Sequence, residues 1–481
     1  MTEGLDKLQQ QRLERLNQIR EMEVDPYGKR VDDIELSCDI RARFVEEAEG
    51  QRAKAAGRIV LLRDIGKLIF ITLRDSTGKI QIGLNKKRVA EEQWPLAKKL
   101  ELGDIFCAEG ELGLTRTGEL TIWGENITFL SKALLQPPEK FHGLQDTDAR
   151  YRQRYVDLWA NPEVMERFRK RSAMVASIRS LLTSKGFCEV ETPMMQSIAG
   201  GAAAKPFVTH HNALDIELYM RIAPELFLKR LLVGGFEKVF EINRSYRNEG
   251  LSTRHNPEFT MMELYQAYTD YNGMMDIAEE IISDLIEKHC EGTTLPFGDM
   301  EIDYTRPWRR ATYADLLKEH SGCDIDDIDA VRAKARELGI KEEKMDDYVV
   351  INEVFEETVE DHLVNPTFVI DYPAPLCPLT RRKSDNPEIA ERFELFVAKM
   401  ELGNAYTELN DPAVQEENFR QQLKGQEETM ATMDDDFVNA LKYGMPPAGG
   451  LGIGIDRLIM LLTNATSIRD VILFPQLKPQ G

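Results

Sequence analysis

The sequence has no long apolar run and no CxxC pair of cysteines, and its 61 Lys and Arg are outnumbered by 82 Asp and Glu. Its 481 residues contain no stretch of about 18 consecutive apolar residues, so we expect no membrane-spanning helix. Residues 1–22 are rich in Gln, Arg and Glu and lack the apolar core of a secretory signal. The six cysteines form no CxxC pair, which argues against a zinc site and a disulfide framework. These absences favour a cytoplasmic protein that has no membrane partner.

A net charge of −21 is unfavourable for RNA binding by the surface as a whole, because RNA is also negatively charged. However, exposed charges further apart than about one Debye length, ~10 Å, act separately. Residues 1–90 carry 18 Lys and Arg against 15 Asp and Glu, whereas the remainder carries 43 against 67. The N-terminal region can therefore contact a nucleic acid, although its charge does not require it.

The pattern of the chain changes near residue 57. Residues 57–130 hold short apolar or alternating runs separated by turn residues, with one helical stretch at 89–99. Five strands with a helix after the third describe an OB-fold, a barrel that binds oligonucleotides on one face. From the pattern alone, another small antiparallel barrel or a sandwich fits equally well.

After Pro137-Pro138 the pattern becomes that of an α+β domain, with a long helix at 162–185. The acidic, more helical stretch at about 308–385 is interpreted as an insertion. We predict four segments, namely an N-terminal helical segment at 1–50, an OB-fold domain at 51–132, a linker at 133–150 and a larger α+β domain at 151–481.

Residues suited to binding chemistry are densest in the predicted hairpin 240–265, whose loop holds Arg247, Glu249 and His255. Arginine's planar fork matches phosphate oxygens, and an aromatic face such as that of Phe259 can stack on a purine. The hairpin could therefore hold a nucleoside triphosphate. An isolated charged hairpin is more often a surface feature held by ion pairs.

A glycine strand near the C-terminus favours the same ligand. Gly450, Gly452 and Gly454 alternate, so they leave one strand face bare, and a flat ligand can approach the backbone there. Arg457, at the start of the next helix, would sit over that floor. The glycine spacing matches neither the Rossmann nor the P-loop pattern.

Together these segments resemble the three signature motifs of class II aminoacyl-tRNA synthetases. Helix 162–185 with the strand that ends at Pro193 resembles motif 1, the hairpin around Arg247 resembles motif 2, and the glycine strand with Arg457 resembles motif 3. Asp456 replaces the usual Glu, as in the aspartyl, asparaginyl and lysyl subgroup, which also carries an N-terminal OB-fold. The amino-acid sequence resembles that of the lysyl enzymes most at residues 141–146, 150–155, 221–226, 254–263 and 404–411.

The resemblance covers the chain from about residue 55 and implies a fold, a reaction and partners. It implies an anticodon-binding OB-fold before a catalytic domain built on an antiparallel sheet flanked by helices. It implies that L-lysine and ATP form lysyl-adenylate, with Mg²⁺, and that lysine is then transferred to the 3′ end of tRNA(Lys). Motif 1 implies a homodimer, and we expect Met174, Ile178 and Leu181, at helical spacing, to form its interface.

The resemblance also implies an ATP and metal site. The residues implied for ATP are Arg247, Glu249, His255, Asn256, Phe259, Glu394, Glu401 and Arg457. Arg247 would bridge the substrate carboxylate and the α-phosphate, Arg457 and Phe259 would sandwich the adenine, and Arg247, Arg457 and Glu401 would be catalytic. Glu249 would accept from the adenine amine, and His255 would reach the terminal phosphates. Mg²⁺ prefers carboxylate and phosphate oxygens, and the resemblance assigns it to Glu394 and Glu401.

Strand spacing predicts a lysine pocket. Asn404, Tyr406 and Glu408 are two apart and share a strand face, as do Glu263 and Tyr265. Two carboxylates and two phenols suit an ammonium on an apolar stem, whereas an aspartate substrate would need cations. The residues that the resemblance implies for lysine are Gly201, Glu225, Arg247, Glu263, Tyr265, Asn404, Tyr406 and Glu408.

For the anticodon the implied residues are Arg63, Phe70, Gln81 and Glu119. Phe70 can stack on a base while its neighbours Ile69 and Ile71 fill the barrel core, although Phe70 could itself be a core residue. Gln81 and Glu119 can pair with uracil edges, and Arg58, like Arg63, supplies charge for the RNA backbone.

Two departures from the lysyl pattern are Met400, where a basic residue is common, and Cys377, where Ser is usual. Two other functions remain open, namely lysylation of a protein or lipid and RNA binding without catalysis. The predicted OB-fold and the absence of a membrane segment disfavour the first. The presence of Arg247, Glu401 and Arg457 disfavours the second.

Overall fold

A computed structural model describes residues 6–46, 50–135, 144–198, 200, 204–424 and 433–480. Contacts divide the chain into two units, Met1–Gln145 and Asp146–Gly481. The predicted segment boundaries stay a prediction, and parts of the linker 133–150 and of the motif 141–146 lie outside the described residues. Within the described ranges, no helix combines the length and apolar character needed to cross a membrane.

The first unit contains a closed barrel of five strands in the order β1-β2-β3-β5-β4. The strands are β1 Arg52–Asp64, β2 Leu68–Arg74, β3 Lys79–Asn85, β4 Ile105–Leu114 and β5 Leu120–Ser131. The helices are α1 Lys7–Glu21, α2 Ser37–Arg43 and α3 Trp94–Ala97, with a 3₁₀ turn at Glu91–Gln93. Since α3 lies between β3 and β4, the predicted OB-fold is confirmed.

Alternation along the strands separates the barrel core from its outer face. Ile69 and Ile71 are at most 1% exposed and belong to the core, as expected. Phe70 lies between them, is half-buried and is not part of that core. Its ring therefore belongs to the outer face of the barrel.

The second unit is built on an eight-stranded sheet in the order β14-β15-β16-β17-β18-β11-β10-β6. Its strands are β6 Cys188–Glu189, β10 Lys238–Tyr246, β11 Glu258–Ala267, β14 Arg309–Thr312, β15 Thr367–Pro373, β16 Ile389–Val397, β17 Met400–Thr407 and β18 Ala448–Gly454. Smaller sheets comprise β7 Met195–Gln196, β8 Val208–His211, β9 Ile216–Met220, β12 Thr294–Phe297 and β13 Met300–Asp303.

Helices pack against this sheet, which confirms the predicted α+β class. They are α4 Thr147–Arg152, α5 Arg154–Ala160, α6 Pro162–Ser184, α7 Glu225–Val233, α8 Tyr271–His289, α9 Tyr313–Ser321, α10 Ile328–Glu337, α11 Asp347–Val359, α12 Pro412–Lys424, α13 Asp435–Lys442 and α14 Ile455–Leu462. Further 3₁₀ turns lie at Glu360–His362, Ala374–Leu376 and Ile468–Asp470. Within the stretch 308–385, α9, α10 and α11 pack into one core with residues of β15 and β16, while β14 and β15 extend the large sheet.

The motif 1 helix, α6, corrects one expectation. Met174 and Ile178 are at most 1% exposed and lie in the core between α6, α8 and the sheet, and Leu181 packs partly against that core. The expectation that these residues form a dimer interface is wrong, because the apolar stripe of α6 is used inside its own unit. The homodimer itself stays a prediction.

Candidate active site

Two neighbouring rows of residues cross one face of the large sheet. The register of β11, β18, β17 and β16 aligns Glu263, Gly452, Asn404 and Glu394 in one row, and Tyr265, Gly450, Tyr406 and Arg392 in the next. Each row has a glycine on β18, so the flanking side chains can meet above bare backbone. The predicted sharing of a face by residues two apart is confirmed for β11 and β17.

Two buried carboxylates, Glu225 and Glu408, hold a lysine that belongs to the chain itself. Lys229, on α7, is fully buried, and its Nζ lies 2.6 Å from Glu225 Oε1 and forms a second ion pair with Glu408. Tyr406 Oη donates to Glu225 at 2.5 Å, and the Tyr406 ring lies 5.2 Å from Lys229 Nζ. Sequence reasoning missed Lys229, although its spacing of four from Glu225 on an apolar helix face was a usable signal.

A third buried carboxylate, Glu263, forms no ion pair with any Lys or Arg in the part of the chain that the structure describes. It accepts from Tyr265 Oη at 3.0 Å, and burial together with the charge of Glu225 raises the pKa of Glu263 to about 8. Burial also raises the pKa of Glu408, against the opposing charge of Lys229. With all three carboxylates ionised, one resident ammonium leaves two negative charges unbalanced, and these suit a ligand with two ammonium groups.

The glycine at position 450 is required by close packing. A Cβ there would lie 2.5 Å from the Tyr265 ring and closer still to Glu408 Oε1. The glycine strand therefore serves two purposes, since Gly450 supports the carboxylate pocket and only Gly452 and Gly454 line the neighbouring cavity. Gly450 thus lies outside the expected floor of three glycines, and for Gly452 and Gly454 the binding of a flat ligand stays a prediction.

That neighbouring cavity encloses about 900 Å³, including space open to solvent. Its walls hold most of the residues predicted for ATP, namely Arg247, Glu249, His255, Asn256, Phe259, Glu401 and Arg457, and also Asn404. The structure thus gathers residues that lie up to about 210 positions apart in the sequence. Gly201, predicted for lysine, lies outside the described residues.

Arg247 is the group in this cavity best suited to bind an anion. Its Nε is buried and contacts no hydrogen-bond acceptor among the described residues, which is costly unless a ligand supplies one. Its guanidinium carbon lies 5.2 Å from the centre of the Phe259 ring. One face of that ring is therefore covered by Arg247, so a base sandwiched with Arg457 must use the other face or displace Arg247.

Arg457 is held at the mouth of the same cavity. Its Nη1 donates to Glu401 O at 2.5 Å, and its Nη2 lies 3.0 Å from His255 Nε2, which must be the acceptor. Burial and the charge of Arg457 lower the pKa of His255, so the ring is neutral at pH 7. His255 can therefore reach phosphates as a hydrogen-bonding group rather than as a cation.

Asp456 fixes the helix that carries Arg457. One oxygen of its buried carboxylate accepts from the Thr260 amide at 2.7 Å, and the other lies 2.6 Å from Arg171 on α6. Asp456, which occupies a position where Glu is usual, thus links α14 to β11 and α6.

The two predicted metal ligands differ in their surroundings. Glu401 is half-exposed in the cavity. Glu394, in contrast, accepts a hydrogen bond from Tyr372 Oη at 2.9 Å and forms an ion pair with Arg392. Burial raises the pKa of Glu394 to about 7, and the charge of Glu401 adds to this. A carboxylate whose ionisation is disfavoured by a second carboxylate is suited, together with it, to a divalent cation.

Arg392 was missed by sequence reasoning, and it connects the pocket with this carboxylate pair. Besides Glu394, it donates to Asn404 Oδ1 at 3.2 Å and to Cys377 Sγ at 3.4 Å. Cys377, a departure from the lysyl pattern, is therefore a buried acceptor for Arg392, while the other departure, Met400, is a core residue.

The stretch 308–385 also contributes acidic groups. Glu356 of α11 and Glu360 line a second cavity together with Glu394. Burial and the charge of Glu356 raise the pKa of Glu360 to about 7. Sequence reasoning assigned no chemistry to this stretch, because its acids are indistinguishable from solvated helix charges until the fold is known.

In the barrel, the residues predicted for the anticodon lie on the outer face. Gln81 donates to Thr121 Oγ1 at 2.9 Å, and Glu119 accepts from Arg41 of α2 at 3.1 Å. Arg63 pairs with Phe70 in the strand register and is exposed. Arg58 is half-buried and donates to Gly103 O at 2.8 Å, so its guanidinium is tied to the barrel.

Comparison with known families agrees with these two units. The family described as tRNA synthetases class II (D, K and N) matches residues 146–478, and the family described as OB-fold nucleic acid binding domain matches residues 53–130. The chain therefore belongs to the class II tRNA synthetases of the D, K and N group.

Full-length relatives narrow this class. A lysine–tRNA ligase from Carboxydothermus hydrogenoformans is 52% identical over 484 aligned positions, which cover 99% of both chains. Those from Pelotomaculum thermopropionicum and Magnetococcus marinus are 50% and 52% identical, over 99% and 97% of this chain and 96% of each relative. Within its class, the chain falls in the lysine–tRNA ligase family.

Proposed function

We propose that this chain is an ATP-dependent ligase of the cytoplasm that joins L-lysine to tRNA(Lys). The observation that carries the proposal is the buried pocket of Glu225, Glu263 and Glu408. It lies beside a cavity lined by Arg247, whose Nε contacts no hydrogen-bond acceptor among the described residues. The pocket suits the two ammonium groups of lysine, and the cavity suits the phosphates of ATP. The membership of the chain in the lysine–tRNA ligase family supports the same reaction.

In the proposed first step, the lysine carboxylate attacks the α-phosphate of ATP and pyrophosphate leaves. Arg247 would stabilise the charge that develops between the two groups, and Asn404 would hold the carboxylate. Glu225 and the Gly201 backbone would bind the α-ammonium, while Glu263, Tyr265 and Glu408 would bind the ε-ammonium, with Tyr406 along the stem. In the second step, a ribose hydroxyl at the 3′ end of tRNA attacks the activated carbonyl, and AMP leaves.

The metal site fits Mg²⁺. Glu394 and Glu401 supply hard oxygen donors, and the described residues contain no cluster of three or more potential ligands, so phosphates and waters would complete the shell. When bound, Mg²⁺ would neutralise charge on the phosphates. Glu249, Asn256, Phe259 and Arg457 would hold the adenosine part, and His255 would donate or accept at the terminal phosphates.

Lysine-dependent ATP–pyrophosphate exchange, compared across amino acids, tests the proposal. Glu408→Gln should weaken the binding of lysine by about 2–5 kcal/mol, because the ε-ammonium loses a buried partner. ATP use should change far less. Arg457→Ala is the matched contrast, since it should impair ATP use with any amino acid. Equal exchange with lysine and with uncharged analogues in the parent chain would contradict lysine specificity.

We further propose that the outer face of the barrel binds the uridine-rich anticodon through Arg63, Phe70, Gln81 and Glu119. Phe70→Ala should weaken aminoacylation by about 1–3 kcal/mol, through loss of a base–aromatic stack, while tRNA-free lysine activation continues. Loss of both activities together would contradict this assignment.

A further inference from the structure

An aromatic residue that sequence reasoning did not select lies at the centre of the outer face of the barrel. The strand register aligns five residues in one row, namely Arg63, Phe70, Gly83, Trp123 and Glu111. Trp123 is half-buried, whereas its neighbour Ile122 is fully buried in the core. Because Gly83 has no side chain, the Phe70 and Trp123 rings approach with centroids 6.0 Å apart and planes inclined at 64°.

The position of the Trp123 ring is fixed by backbone and by a cation. A Cβ on Gly83 would come within 2.7 Å of two ring carbons, and one on Gly113 within 3.3 Å of the indole Nε1. The Arg88 guanidinium lies 6.0 Å from the ring centroid, and Arg88 Nη1 donates to Glu111 at 3.1 Å. The indole therefore rests on glycine backbone beside a cation whose own position is held.

The indole N–H is open to a ligand. Among the described residues no hydrogen bond from Trp123 Nε1 to an acceptor is present, and the ring is only half-buried. A half-exposed ring with a free donor, next to a second ring and an arginine, is the kind of surface on which single-stranded bases stack.

We propose that Trp123 is a second stacking platform, which binds a base adjacent to the one that stacks on Phe70. This inference rests on the proposed binding of the anticodon by the barrel and extends it to a second base of the same loop. The two rings are too strongly inclined to share one base, so each takes its own. Arg88, whose side chain is 47% exposed, is placed to contact the phosphate that links them.

The test is the affinity of the full chain for an RNA stem-loop with a uridine-rich anticodon. Trp123→Ala should weaken binding by about 5- to 150-fold, the range that corresponds to one lost stack. Trp123→Phe keeps a stacking face and should stay within about threefold of the parent chain. Tyr27→Ala, which removes a 47% exposed aromatic side chain from the same unit, is the matched control and should bind as the parent does.

Stem-loops with one abasic nucleotide locate the partner base. An abasic nucleotide at one loop position should abolish the difference in RNA affinity between the parent chain and Trp123→Ala. An abasic nucleotide at a different position should abolish the difference in affinity between the parent chain and Phe70→Ala. If the same position abolishes both, Trp123 acts only by supporting Phe70 and the inference is wrong.

The remaining outcomes separate the two proposals. If Phe70→Ala weakens binding but Trp123→Ala does not, the second platform is refuted and the anticodon role of the barrel stands. If Phe70→Ala, Gln81→Ala and Trp123→Ala all bind as the parent chain does, that role fails as well. Thermal unfolding of each variant identifies any loss of affinity that comes from misfolding.

Discussion

In its proposed role, the carboxyl group of Glu263 must become ionised before it can balance an ammonium of lysine. Its pKa of about 8 reflects burial and Glu225, with a further contribution from Glu241, while Tyr265 and Arg221 oppose the rise. At pH 6 the group is protonated, and a protonated carboxyl cannot balance an ammonium. We therefore expect lysine binding to release a proton.

This predicts that lysine affinity rises with pH, by up to about tenfold per unit between pH 6 and 8, and then levels off. Calorimetric titration of lysine in buffers of different ionisation enthalpy measures both the affinity and the released proton. Glu263→Gln should bind lysine more weakly and show a smaller pH dependence in this range, because burial also raises the pKa of Glu408 to about 8 and that group still titrates. An unchanged pH dependence in Glu263→Gln would place the titrating group elsewhere.

Lys229 is a second buried residue, and its replacement should change the stability of the fold. Lys229→Met removes the ammonium that Glu225 and Glu408 share, so it leaves uncompensated buried charge and should destabilise the chain by about 3–5 kcal/mol. Denaturant unfolding measures this, and the double variant Lys229→Met/Glu408→Gln should recover part of the loss.

The matched control for Lys229 is Lys98→Met. Lys98 also forms an ion pair, with Asp64, but its side chain is 31% exposed. Its replacement should cost no more than about 1 kcal/mol, as exposed pairs usually do. Equal losses in the free energy of unfolding for the two lysine variants would mean that the buried group of Lys229, Glu225 and Glu408 stabilises the fold no more than an exposed ion pair does.

At the level of elements, strand β18 supports two sites at once, and its glycines can be tested separately. Gly450→Ala should displace Glu408 and Tyr265 and raise the lysine concentration needed for exchange at least tenfold. At Gly454 a Cβ would meet nothing closer than 3.7 Å, so Gly454→Ala should leave the lysine requirement unchanged. If both variants bind lysine as the parent chain does, the close packing at Gly450 is not essential.

The elements also show what a sequence can and cannot predict. Alternation predicts the barrel, and the spacing of two predicts the shared faces of β11 and β17, because both depend only on local strand geometry. Arg392 and Trp123 could not be selected in this way, since their importance depends on which strands become neighbours, whereas Lys229 had a local signal in its spacing of four from Glu225. The apolar spacing in α6 predicts a buried stripe but cannot tell a domain core from a dimer interface.

For the whole molecule, the homodimer remains a proposal that needs other surfaces than the stripe of α6. The second unit exposes apolar side chains elsewhere, among them Met195 at 56%, Ile216 at 42% and Phe474 at 70%. A lasting dimer should bury more than about 2,000 Å² in total. Sedimentation at micromolar concentration should show a single dimeric species, and a fully active monomer would rule the dimer out.

The depth at which the charges lie has a consequence for ionic strength. The three pocket carboxylates are at most 6% exposed, whereas Arg63 and Arg88 on the barrel face solvent. Added salt screens exposed charges much more than buried ones, and RNA affinity falls with each phosphate contact that salt replaces. Raising salt from about 50 to 200 mM should therefore leave lysine-dependent exchange nearly constant while aminoacylation at limiting tRNA falls steeply. Salt would then uncouple the two half-reactions, and the enzyme would retain an activated amino acid with no acceptor to receive it.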